Sequence, residues 1–137
     1  MENRDFLMAQ IEQVGKVLAR AVSDAIGFKT PNDAALGLEK INLELNRQLD
    51  CDIFELLKLK KDEKVLWLEK NNIPIENAEG IANYFSALYE AKTKNGISCL
   101  KAAKELLVIV DQQTKSFSME RAHKMMKIDR KLIPVNQ

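Results

Sequence analysis

The chain has 137 residues, 46% of them hydrophobic, which is enough apolar material to bury one continuous core and too much for a disordered chain. Its 21 Lys and Arg against 20 Asp and Glu leave a net charge of +1, which excludes a global attraction to nucleic acid or to an anionic membrane. Only 5 Gly and 3 Pro accompany a composition rich in Leu, Ala, Lys and Glu, so few, long helices are expected. Charge is unevenly spread: residues 31–80 hold 7 basic and 11 acidic side chains, a net of −4, and residues 81–137 hold 10 and 5, a net of +5.

From Arg4 to Ile26 the residues Leu7, Ile11, Val14, Leu18, Ala21 and Ala25 alternate steps of four and three, the stripe of a first helix, widened by Phe6, Val17 and Val22. Gly27 is the expected left-handed stop. Thr30 and Pro31 then open a second helix, hydroxyl cap followed by preset proline, running to Leu49. It carries Ala34, Leu38, Ile41, Leu45 and Leu49 on one face, with Leu36 and Leu43 pointing to burial on a second side. After Asp50-Cys51-Asp52 come a short third helix, Ile53 to Leu59, and a fourth, Asp62 to Lys70.

Asn71-Asn72-Ile73-Pro74 is the clearest boundary, because the residue before a proline is driven out of the helical region. A fifth helix follows from Asn77 to Lys94, ended by Asn95-Gly96. A sixth, capped by Ser98, is apolar on two adjacent ridges, Leu100/Ala103/Leu107/Val110 and Cys99/Ala102/Leu106/Ile109, as a central helix is. Ser116 or Ser118 opens a seventh, with Met119, Ala122, Met125, Met126 and Ile133 on its docking side, and Pro134 stops it. The chain thus reads as an all-α array or bundle of six or seven helices in a single domain, 1–137, with an N-terminal lobe of about 1–72, a C-terminal hairpin lobe of about 73–133 and a short frayed tail, 134–137.

Helices five to seven, joined by an Asn-Gly turn and a short polar turn, resemble a degenerate tetratricopeptide-like unit, without the Trp-x-x-Leu-Gly-x-x-Tyr signature or a second copy. The segment Arg4-Asp5-Phe6-Leu7-Met8-Ala9-Gln10-Ile11-Glu12-Gln13-Val14-Gly15-Lys16-Val17-Leu18 resembles the opening of a family of small bacterial all-helical proteins of unknown function whose C-terminal halves are tetratricopeptide-like. That resemblance implies a fold and no activity.

Residues able to do chemistry are few. His123 has Met119 and Lys127 four residues away on either side, and only Glu120 close enough to orient it. Cys51 and Cys99 are separated by 47 intervening residues with no metal-type spacing, so reduced, buried thiols are expected. Cys99 follows the expected cap Ser98, where free N–H groups favour a thiolate, whereas Asp50 and Asp52 disfavour one at Cys51. Glu44, Asp50, Asp52, Glu55, Asp62 and Glu63 form no Glu-x-x-His pattern, and no glycine-rich turn cradles phosphate. No catalytic residue, cofactor or metal is therefore expected.

The best candidate binding surface is the seventh helix, where Arg121, Lys124, Lys127 and Lys131 recur on one side with Arg130 alongside. The preferred function is a non-enzymatic scaffold or protein–protein interaction module taking a protein or peptide partner, with homo-oligomerisation through the first helix as one form. The alternative is a regulatory protein binding nucleic acid or another polyanion through the seventh helix; an enzyme using His123 or Cys99 ranks third. No stretch reaches the ~18 apolar residues of a membrane span, and no signal peptide opens the chain, so the expected location is the cytoplasm.

Overall fold

A computed structural model describes residues 2–28 and 30–136, with no strand among them. Six α-helices run as α1 (Glu2–Ile26), α2 (Pro31–Leu49), α3 (Lys61–Lys70), α4 (Ala78–Glu90), α5 (Gly96–Thr114) and α6 (Met119–Asn136). Two 3₁₀ turns, Ile53–Lys58 and Ile75–Asn77, precede α3 and α4. The all-α bundle expected from the apolar spacing is what forms.

α5 is the central helix. Both of its ridges are buried, Leu100, Ala103, Leu107 and Val110 on one and Cys99, Ala102, Leu106 and Ile109 on the other, because it packs against α4, α3 and α6 at once. α4 lies antiparallel to it and buries Ile81, Tyr84, Phe85 and Leu88. α1 runs parallel to α4, with Gly15 beside Asn77 and Leu18 packed on Gly80, where a Cβ would stand 3.0 Å from Leu18 Cδ1. α2 returns antiparallel along α1 and reaches α4 where the buried Tyr84 hydroxyl donates to Asn42 Oδ1. α3 is fastened to α5 by Lys64, a buried lysine whose Nζ donates to Glu105 Oε1 at 2.6 Å and to the Leu59 carbonyl. That spends both an acceptor and a charge on a group otherwise costly to bury.

Several boundaries depart from the sequence reading. α1 ends where expected, but Gly27 does not take a left-handed conformation; its N–H and that of Phe28 bond back to Asp24 and Ala25 carbonyls in 3₁₀ fashion. Left-handed backbone falls instead on Asp50, Asn72, Lys92 and Lys115. At Lys92 it closes α4 early: the Lys92 N–H bonds to the Tyr89 carbonyl and the Thr93 N–H to that of Leu88, a complete Schellman end. Asn95-Gly96 therefore starts α5 rather than ending α4, and Ser98 lies inside the first turn instead of capping it. Asn72 does the same at the end of α3, whose last helical residue is Lys70, as the sequence predicts.

Thr30 Oγ1 caps α2 by accepting from the Asp33 N–H at 3.1 Å. Leu36 and Leu43 are exposed rather than buried on a second side, since none of the described residues packs on the outer face of α2; the Ala34 side chain lies outside the described residues. The third helix is a 3₁₀ turn, capped by Asp52. Of Ser116 and Ser118, Ser118 opens α6, its Oγ accepting from the Arg121 N–H at 3.2 Å. α6 docks through Ile128 and Leu132, with Met125 half-buried, while Met119, Met126 and Ile133 stay exposed. It continues past Pro134 to Asn136, because a proline in the last turn deprives the backbone of a single N–H bond; Gln137 lies outside the described residues.

Candidate functional site

α6 presents two faces. On its inner flank the cations expected to form a binding surface are engaged within the chain. The Arg121 guanidinium, 12% exposed, donates from Nε to Asp111 Oδ1 at 2.6 Å, approaches Glu79 Oε1 at 3.5 Å, and reaches the carbonyl and hydroxyl of Ser116. Lys124 Nζ donates to the other oxygen of Glu79 at 2.7 Å. Lys131 pairs with Glu90 and lies 5.6 Å from the centre of the Tyr89 ring. Asp129 closes the set by accepting from Lys104 at 2.6 Å. These pairs tie α6 across the α4–α5 hairpin, so three of the five residues serve the fold.

The outer face is different. Met119, Met126 and Ile133 recur at steps of seven and are 79%, 49% and 51% exposed. Seven residues are close to two helical turns, so the three share one stripe. His123, Lys127 and Arg130 stand exposed along one side of it, and among the described residues neither Lys127 nor Arg130 forms an ion pair. The five cations named from the sequence are thus split: Arg121, Lys124 and Lys131 turn inward, and Lys127 and Arg130 border an apolar stripe. The spacing of the methionines alone places them on the docking side, which hides this stripe in the sequence. Its signal was present as the seven-residue repeat of Met119, Met126 and Ile133, one place out of phase with Met125, Ile128 and Leu132.

The other sequence-named residues do not come together. Among the described residues no group of three His, Cys, Asp or Glu side chains converges to hold a metal ion. Cys99 is fully buried, and its N–H already bonds to the Asn95 carbonyl at 2.9 Å, so it lies beyond the free N–H groups that favour a thiolate. Burial pushes its thiol up to about 11. The half-buried Cys51 is raised to about 11 as well, by burial and then by Glu55, Asp50 and Asp52. Of the acidic middle, Glu44 pairs with Arg47 at 2.6 Å, Asp52 caps the 3₁₀ turn and Glu63 Oε1 accepts from the Lys60 N–H at 2.8 Å, all local structural tasks.

An open groove, of about 340 Å³, lies between α2 and the α4–α5 turn, with Leu38, Phe54, Leu88 and Cys99 in its floor and Lys92 and Lys94 at its rim. No described helix is long and apolar enough to cross a membrane. The chain matches no protein-family model, no curated protein and no solved structure.

Proposed function

We propose that this chain is a non-enzymatic helical module for protein–protein interaction, docking a partner on the outer face of α6. The observation that carries this reading is the exposed Met119/Met126/Ile133 stripe with Lys127 and Arg130 beside it. Flexible methionines suit an adaptable helix-binding surface, and the adjoining cations select an acidic, amphipathic partner segment. The polyanion reading loses support, because a phosphate-binding helix needs clustered free cations, and three of the five are held in ion pairs. An enzyme reading has no support beyond a lone His123 and two thiols kept protonated. The α4–α5 hairpin followed by α6 is read as tetratricopeptide-like, in keeping with the bacterial family that the N-terminal segment resembles. A cytoplasmic location fits two unpaired cysteines.

The test is a titration of the protein against three probes: an acidic peptide with leucines at heptad spacing, a short DNA duplex, and vesicles containing phosphatidylserine. The peptide is expected to bind, and Met119→Gln/Met126→Gln to weaken it about tenfold, or ~1.4 kcal/mol, while Lys101→Gln on the exposed side of α5 leaves it unchanged. DNA binding by the wild type tighter than about 1 μM at physiological salt, beyond the usual non-specific range, would return the basic helix to first place.

A further inference from the structure

We infer that the occupant of the α6 outer face is a second copy of this chain, which docks there through the projecting N-terminal turns of its own α1. This rests on the reading of that face as a protein-docking surface and names its partner.

None of the described residues covers the tip of α1. Asp5, Phe6, Leu7, Met8 and Ala9 are all exposed, and five consecutive helical positions point to every side, so the helix here stands clear of the bundle. Its first tethers come at Gln10, whose Nε2 donates to the Asn72 carbonyl at 2.9 Å, and at Ile11, whose carbonyl accepts from Asn77 Nδ2 at 3.1 Å. Phe6 is 73% exposed and Met8 54%. The seam of Leu7, Ile11, Val14 and Leu18 that α4 and α2 cover further along is left open at this end.

The two surfaces complement each other in charge and in repeat. Residues 2–13 carry Glu2, Asp5 and Glu12 against Arg4, a net of −2, whereas the outer face of α6 presents Lys127 and Arg130, which form no ion pair among the described residues. Asp5 and Glu12 are one heptad apart with Met8 between them on the same side of α1. Lys127 and Arg130 stand three residues apart along one edge of the apolar stripe, which itself repeats at the seven-residue step. A seven-residue step is about 10.5 Å on either helix, so laying the tip along α6 sets its apolar side chains on the Met119/Met126/Ile133 repeat, with Asp5 and Glu12 near Lys127 and Arg130. Among the described residues the outer face of α2 offers Leu36 and Leu43, beside a Glu44–Arg47 pair already satisfied within the helix.

Tip and face are different patches of one chain, so each copy can give one contact and receive one, and a two-fold axis makes the exchange reciprocal. A single contact of two helical turns is small beside the ~1,200–2,000 Å² of a stable interface. The smallest assembly that makes it twice is a reciprocal dimer.

The full chain is measured by light scattering after size exclusion between about 1 and 100 μM, because association follows mass action, with circular dichroism as a check on folding. The wild type is expected above monomer mass, falling toward it at about 0.5 M salt as exposed charges are screened. Lys127→Glu/Arg130→Glu makes face and tip both acidic, and Asp5→Lys/Glu12→Lys makes both basic, so each folded variant alone should be monomeric. An equimolar mixture of the two restores a complementary contact in both directions and should recover the wild-type mass. A monomeric wild type, association that survives in either variant, or a mixture that stays monomeric overturns the inference. A monomeric wild type that still binds the acidic peptide does so while leaving the docking reading intact; a wild type that binds neither removes both.

Discussion

The ring of Phe28 fills the space that a side chain at position 37 would occupy: a Cβ built on Gly37 would stand 2.2 Å from Phe28 Cε1 and 2.3 Å from Cζ. The chain leaving α1 is folded back on α2 through this one glycine. Gly37→Ala should therefore destabilise by about 1–3 kcal/mol through overpacking, although alanine is the better helix former. In a Phe28→Ala background the obstruction is gone, and the same substitution should stabilise by about 0.5–1 kcal/mol. A thermal-denaturation double-mutant cycle reads the reversal of sign directly.

The inner and outer cations of α6 should behave differently. Arg121→Ala strips Asp111 and Glu79 of their shared partner in a partly buried site, and a cost of about 1–3 kcal/mol is expected from the acceptors left behind. Lys127→Ala removes an exposed charge with no ion pair and should stay within about 0.5 kcal/mol. Urea denaturation of the two variants side by side checks this; equal effects would mean that the Arg121 network does not hold α6 in place.

Leu107, 1% exposed at the centre of α5, should be among the most sensitive positions. Leu107→Ala is expected to cost roughly 2 to 5 kcal/mol, transfer plus cavity, and to lower the melting temperature accordingly. Leu66→Ala, on a leucine 64% exposed in α3, is the matching control and should change little.

Alkaline pH should loosen the fold. Both thiols are held near 11 in the folded chain against an ordinary value of 9.0, and burial raises the Tyr84 phenol in the same direction. The unfolded chain therefore loses these protons first. The stability contributed by the neutral groups is fully present below the ordinary value and declines as pH rises from about 9 toward 11, by up to ~1.4 kcal/mol per pH unit for each thiol. Melting temperatures across this range should fall less steeply in Cys51→Ala/Cys99→Ala than in the wild type.

What could be read from the sequence was whatever depends on one helix at a time. The steps of three and four in Leu7 to Ala25, the Thr30-Pro31 start, the Asn72 boundary and the two apolar ridges of α5 are local consequences of helix geometry and capping. They named the all-α class and its central helix. Helix ends were less legible at Gly27 and Lys92, because left-handed backbone went to residues whose carbonyl partners were in place, not to the nearest glycine.

Which cations and which methionines face outward was decided only by tertiary structure. The five basic residues of α6 are chemically alike along the chain, and only the placement of Glu79, Glu90 and Asp111 on the α4–α5 hairpin turns Arg121, Lys124 and Lys131 inward. Likewise a Met-rich helix has two possible apolar sides, and the groove that accepts Ile128 and Leu132 leaves Met119, Met126 and Ile133 to water. Periodicity says that a helix has a face to bury. Only the partners assembled around it say which one.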